Sequence, residues 1–499
     1  MRVAPSIGAR TAMYTGSEAM LPVQVISLPV LLVAALWLVS PHSISFVAIS
    51  CSFVLVLLPW WSFCLWQKGD LRRFPLFAVM GAMFVLTYVV PLYLGQHIVK
   101  TSFGPRLLAA DAMDNTMMLT VIGIGALWAG MSVPIPDGFA REWRLDFGVT
   151  PATWNYVRLM FAAASVVMAV LGIGALGSGG RQALVDIESV VLMVAFLSLF
   201  RRYLNQETER LDEVLLIGFV VLRLVKAIAS GWLGDLVAFL MVIGVGYFDL
   251  RRRVPKIAIA CILLVFLFLQ PGKNEFRAHY WRGIGVVQGS TTERVAFWIE
   301  ASARAWARAF EEPEQRTALF DATISRASLF EPTAMVMQMT PTQVPFQNGR
   351  LYRYLAITLI PRAIWPEKPT FSGANQFYQV AYGITDRRDL GKVSMAVGFL
   401  AESYINFGWF GPPFVVFVIG FLLNVIRRYF LDAEQGEFLR CLGIALLPNF
   451  ITIQSQAVQY LAGIIQAILL TVLLFSPAIR FVRPVLSSKQ VLQLGKEKG

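Results

Sequence analysis

The chain has 499 residues, 57% of them hydrophobic and 15% charged, with 43 Lys and Arg against 31 Asp and Glu for a formal charge of +12. A soluble domain carries about 25% charged residues, so these figures exclude a soluble enzyme, a disordered chain and a disulfide scaffold, and leave an all-α polytopic membrane protein. The positive excess fits nucleic acid, an anionic ligand or membrane topology, and its placement along the chain decides between them.

A hydrocarbon core of about 30 Å needs about 20 apolar residues as a helix. That ruler predicts about twelve spans, near 21–39, 44–66, 75–94, 117–133, 152–175, 184–200, 213–231, 233–250, 256–270, 408–426, 437–453 and 456–476. The stretch before residue 21 lacks the form of a cleavable signal, so the first span is read as retained. With the N-terminus cytoplasmic, the inner segments carry 21 Lys and Arg and the short outer loops only 3. This asymmetry predicts both termini inside. It divides the chain into nine spans over 1–270, a large extracytoplasmic loop over 271–407, three spans over 408–476 and a cytoplasmic tail over 477–499. Basic residues scattered over several inner loops form no nucleic-acid stripe.

Cys51, Cys64, Cys261 and Cys441 lie in or beside spans, and the sequence holds no CxxC, no zinc-ligand spacing and no GxxxxGK[ST] phosphate loop. The expectation is chemistry without metal, nucleotide or other cofactor.

Within the seventh span, Arg223 and Lys226 stand one helical turn apart, with Asp235 at the head of the next. Ionisable residues in a span point to function, although a cation–Asp235 clamp accounts for them equally well. The loop opens with Lys273, Glu275, Arg277, His279 and Arg282 at the membrane–water boundary. Arginine suits multidentate binding of phosphate oxygens, while basic residues also anchor to headgroups.

Thr291 to Phe310 reads as an amphipathic helix, with Val295, Trp298, Ile299, Trp306 and Phe310 at helical spacing and a Glu300–Arg304 pair. It either lies on the outer leaflet or packs on the loop's own core. A second helix is expected over 317–339 with a break at Glu331-Pro332, and a third over 351–360, just after Arg350 and Arg353. Pro361, Pro366 and Pro369 then stiffen the path that carries Arg362, Trp365 and Lys368. Trp365 offers an aromatic plane to a glycan, or plugs the loop. Glu402 and Tyr404 sit where the chain re-enters the membrane. Glu402 is a candidate base or a salt-bridge partner, and Tyr404 is a second aromatic candidate for glycan. His42, His97 and His279 all fall on the predicted outer side, and His279 is the best placed for acid–base work.

The run ITLIPRAIWPEKP, with ISRASLF upstream, GFLAESYINFGWFG downstream and GKNEFR after a hydrophobic span, resembles the Wzy-type O-antigen and oligosaccharide repeat-unit polymerases over about residues 215–425. That resemblance implies a bacterial inner-membrane glycosyltransferase. It would join undecaprenyl-diphosphate-linked repeat units on the outer face, for O-antigen, capsule or exopolysaccharide. The implied partners are the lipid-linked donor and acceptor, the bilayer, and a chain-length regulator and flippase. Carried over by position, Arg277, Arg326, Arg350, Arg362, Lys368 and Glu402 are the loop candidates, the basic ones for the diphosphate; Arg282 and Arg353 are added as neighbours. The Gly-Arg-type turn of such proteins reads Ser230-Gly231-Trp232-Leu233-Gly234-Asp235 here, without a basic residue, and Lys226 or Arg223 would substitute. The alternatives are an O-antigen ligase with the same donor, and a flippase or secondary transporter.

Overall fold

A computed structural model describes residues 22–482 apart from 69–73, 137–143, 172–177, 232, 252, 254–255, 281–288, 354, 356–364, 366–372, 391–396 and 433–435. The architecture is mostly helical. In chain order it begins α1 (Pro22–Val39), α2 (Phe46–Lys68), α3 (Leu76–Leu94), a hairpin of β1 (Ile98–Thr101) and β2 (Gly104–Leu107), and α4 (Ala110–Ser132). Next come β3 (Arg144–Phe147), α5 (Pro151–Leu171), α6 (Ser178–Leu204), α7 (Arg210–Ser230), α8 (Leu233–Arg251) and α9 (Lys256–Leu269).

The long connecting segment holds α10 (Lys273–Tyr280), α11 (Thr291–Glu311), α12 (Pro313–Ala327), α13 (Phe330–Met339) and α14 (Gly373–Ala381). The chain closes with α15 (Gly398–Phe407), α16 (Gly411–Ile426), α17 (Glu437–Ala445), α18 (Leu447–Phe450), α19 (Ala457–Phe475) and β4 (Ile479–Val482).

A helix covers the body of each predicted span except 437–453. Among the described residues, five helical stretches are long and apolar enough to cross a membrane: Phe46–Lys68, Leu76–Leu94, Ala110–Ser132, Gly398–Leu431 and Ala457–Phe475. Two boundaries differ from expectation. Helix α4 begins at Ala110 rather than near 117, because Ser45 donates to Asp114 and so accommodates an acid that hydropathy penalises. The stretch 437–453 is not one helix. It divides at Leu446, with Pro448 in the first turn of α18, where no N–H is needed.

The tightest crossing is α4 against α16. A Cβ on Gly130 would lie 2.3 Å from the Phe417 carbonyl oxygen, and one on Gly420 2.5 Å from that of Leu127. These two glycines let the backbones touch, the usual way apolar helices gain packing energy where lipid supplies no hydrophobic drive.

Turns sort to two ends of the bundle. At one end His42 Nε2 meets the Gly95 carbonyl (2.8 Å), Gln96 donates to Asp321 (2.7 Å) and the Ala109 amide donates to Gln338 (3.2 Å). At the other, β3 pairs antiparallel with β4, and Arg201 and Arg440 converge on Asp249. The long connecting segment therefore docks on the end that also carries the 40–45 and 95–109 turns.

Candidate active site

Helix α9 ends at Leu269 with carbonyls that lack intrahelical partners. Helix α11 supplies them: Trp298 Nε1 (2.9 Å) and Ser302 Oγ (3.3 Å) donate to the Leu269 oxygen, and Trp306 Nε1 donates to Phe268 (3.1 Å). The buried face of 291–310 packs on α7, α8 and the end of α9 as well as on α10, rather than on the long segment alone. Trp298, Ala301, Ser302 and Ala309 are buried, and Trp298 joins Leu269, Phe276, Tyr280 and Ala227 in a compact apolar cluster. Ile299 and Phe310 point away, exposed. The Glu300–Arg304 pair forms at 3.6 Å, and Glu275 takes Arg304 more closely at 2.7 Å. A capping box of Ser290 and Glu293 starts the helix.

This scaffold fixes α10. Phe276 buries one face against Trp298 (ring centroids 5.1 Å) and turns Lys273, Arg277 and His279 toward neighbouring elements. Arg277 is buried, Lys273 half-buried and Arg326, near the end of α12, exposed. Lys273 is pushed down to about 8, first by burial and then by the positive charges of Arg326 and Arg277. Positive charge thus reaches Lys273 both from its own helix and from α12, and an anion there would offset it. His279 is exposed and stacks on Phe297 with centroids 4.5 Å apart. Arg223 and Lys226 project from α7 beside Ala227, which packs into the same apolar cluster, and the Arg223 guanidinium lies 5.6 Å from the Phe219 ring centre.

A second group forms where the 346–353 segment runs along the end of α15. The Gln347 and Asn348 amides donate to the Ile405 and Asn406 carbonyls, both at 2.9 Å, and Gly349 takes φ +83° at the turn. That places Arg350 and Arg353 on the surface above Tyr352, whose ring stacks on Phe407. Glu402 lies beneath, 1% exposed, with Oε2 accepting the Ala457 amide at 2.6 Å. Tyr404 packs between Phe346 and Trp409 and is buried. Trp365 is exposed. Arg282, Arg362 and Lys368 lie outside the described residues, as does most of the expected helix over 351–360, whose start is a 3-10 turn over Arg350–Tyr352.

Two residues gain weight from the structure. Lys273, one of several basic candidates at the start of the segment, is singled out by its burial and by the charge of Arg326, 53 positions on. Glu331 looked like part of a helix break. The break instead falls at Ser328-Leu329, and Pro332 sits in the first turn of α13. Glu331 is 6% exposed; Ser328 Oγ donates to its Oε2, and its Oε1 has no hydrogen-bond partner among the described residues. Burial pushes its carboxyl up to about 7. Pro91 explains how this segment is held. Lacking an N–H, it offers no donor to the Thr87 carbonyl four residues back in α3, and the Leu329 amide donates to that oxygen at 2.9 Å.

Span-length apolar helices packed around glycine contacts, with a cationic cluster in the long connecting segment, define a helical membrane protein. A family profile described as "Domain of unknown function (DUF8712)" matches residues 107–447, and the chain belongs to that family. Two curated relatives, the O-antigen polymerases of Salmonella typhimurium (strain LT2) and Salmonella typhi, are each 30% identical over 131 residues, 24% of this chain and 31% of theirs. The chain thus spans about a third of the length of those relatives. No solved structure matches.

Proposed function

We propose that the protein is a polysaccharide polymerase of the bacterial inner membrane. It has twelve spans, both termini in the cytoplasm and the 271–407 segment outside, and it joins undecaprenyl-diphosphate-linked repeat units. The observation that carries this reading is the buried, basic start of the long segment, where α10 brings Lys273 and Arg277 under the charge of Arg326. Similarity to O-antigen polymerases supports it. The sorting of turns to two ends supports the alternating sidedness, since β3 and β4 both belong to predicted inner segments.

In the reaction, an acceptor-sugar hydroxyl attacks the anomeric carbon at the reducing end of the growing chain. A glycosidic bond forms, and the bond from that carbon to the diphosphate oxygen breaks. The hydroxyl proton passes to His279, which is exposed on the same helix as Arg277. The diphosphate leaves on its lipid with increased negative charge, which Lys273, Arg277 and Arg326 stabilise more in the transition state than in the ground state. Arg223, Lys226, Arg350 and Arg353 are assigned to the same anionic substrate, as are Arg362 and Lys368, whose role rests on the sequence alone. The exposed Trp365 offers a plane for a sugar. A flippase would spread its ionisable groups over many spans, and the curated relatives are polymerases rather than ligases.

The test is reconstitution with purified lipid-linked repeat units, where a ladder of glycan lengths is expected. Arg277→Ala and Arg362→Ala should remain in the membrane yet leave single repeats. Normal long chains in both variants, or transport without glycosyl transfer, would overturn the reading.

A further inference from the structure

The tip of the β1–β2 hairpin leans over the turn that follows α14 and encloses an open cavity of about 610 Å³. The hairpin is pinned there: the Ser102 amide and hydroxyl both donate to the Gly383 carbonyl, at 2.8 and 2.9 Å. Gly383 adopts φ +70°, and a Cβ on it would meet the Phe103 ring at 3.0 Å, so the ring crosses bare backbone. Phe103 is nevertheless 90% exposed, held at a rigid turn with its other face open. Asp386, Arg387 and Arg388 line the same cavity, exposed and without an ion pair among the described residues.

The volume lies in the range of small-molecule sites. The lining combines one flat apolar surface with a carboxylate, two guanidiniums and the hydroxyl of Thr385. That combination suits a ligand with an apolar C–H face and a rim of hydroxyls, which is a sugar ring. We infer that this cavity is a carbohydrate-binding subsite for the glycan chain, with Phe103 as its stacking platform and Asp386 and Arg388 as its hydrogen-bonding partners. The pinned hairpin means that little conformational freedom is lost on binding.

The subsite stands apart from the cationic cluster. Gln96, at the root of the hairpin, is bonded to Asp321 of α12, and Arg326 lies further along that helix. From Gln96 to Phe103 an extended chain reaches at most about 23 Å, and from Asp321 to Arg326 the helix rises about 7.5 Å. With the Gln96–Asp321 side-chain bridge between them, the cavity is within roughly 40 Å of Arg326, a distance that several linked sugars bridge. It would hold a sugar remote from the bond being made.

The inference rests on the polymerase reading for its ligand class, and its test does not require transfer. Saturation-transfer NMR is recorded on the full chain in lipid nanodiscs. The probe is the repeat-unit oligosaccharide released by mild acid from the host's own lipid carrier. Transfer to the sugar is expected, with affinity falling about tenfold in Phe103→Ala and in Asp386→Asn. Such a loss in a protein that builds no ladder would uphold the subsite while removing the polymerase. Wild-type affinity in both variants would overturn the subsite. So would a spin label at Phe103→Cys that meets lipid-dissolved oxygen rather than an aqueous relaxation agent, since that would make the ring a membrane anchor.

Discussion

Glu402 Oε2 accepts the backbone N–H of Ala457 at 2.6 Å, so a carboxylate of α15 caps the first turn of α19 from 55 residues away. The acid is sealed at 1% exposure and its position fits a helix cap better than a group meeting substrate. Glu402→Ala should lower stability by about 0.5–2 kcal/mol, the usual cost of a lost cap. Glu402→Gln keeps an acceptor oxygen and should melt close to wild type while still building a glycan ladder. A Glu402→Gln protein with unchanged melting temperature and no ladder would instead make this carboxylate the proton acceptor.

Lys273 makes a prediction about pH and anions. Its folded-state value, about 8 against an ordinary 10.5, means that the native protein binds fewer protons than the unfolded chain between those limits. Stability should therefore rise with pH through that window. Arg326→Ala removes one of the repelling charges and should flatten the rise. At pH 7 the three cations stay charged and crowded, so inorganic pyrophosphate should raise the melting temperature of wild type and do so much less in Lys273→Gln. Equal shifts in both proteins would mean that the anion binds elsewhere.

Glu331 predicts the opposite slope. Burial raises its carboxyl from 4.5 to about 7, so the native state holds the proton more tightly than the unfolded chain. Its contribution is complete below about pH 4.5 and is lost as pH rises through 7, on the order of 3 kcal/mol. Glu331→Gln can still accept from Ser328 and carries no charge. Denaturant curves should show the variant more stable than wild type at pH 8 and the two converging near pH 4. A pH-independent difference between them would show that the group does not titrate in the folded protein.

The contrast between these residues shows what a sequence holds. Helix positions were legible because a run of apolar residues long enough to span a bilayer is a one-dimensional signal. The core of α11 was legible from the spacing of Trp298 and Trp306, although its partner was not. Arg158 was overlooked: it donates to Asp212 at 2.6 Å, and nothing in either segment announces a partner 54 positions away. The same holds for Glu331, whose Oε1 lies against Gly95, far earlier in the chain. Phe103 read as one more apolar residue of a short turn. Its exposure comes from the tertiary pinning of Ser102 to Gly383. The charge of +12 distributes along the chain as a topology signal, but which cations act on one another, as Arg326 does on Lys273, is a three-dimensional fact.

The end opposite the candidate site carries the last prediction. Asp249 Oδ2 accepts from Arg201 Nη1 at 2.6 Å and from Arg440 Nε at 2.7 Å, so one buried carboxylate joins α6, α8 and α17. Glu437 adds a second contact to Arg201 at 3.3 Å. Removing one partner from such a group leaves charges buried against each other, which typically costs about 3–5 kcal/mol. Asp249→Ala should show that loss in thermal unfolding, whereas Asp249→Leu combined with Arg201→Met and Arg440→Met should recover most of it, because the desolvation penalty disappears with the charges. Because the network lies away from the cationic cluster, the triple variant should still build a ladder at a permissive temperature. Equal destabilisation in the single and triple variants would show that the network's geometry, rather than its charge balance, holds these three helices together.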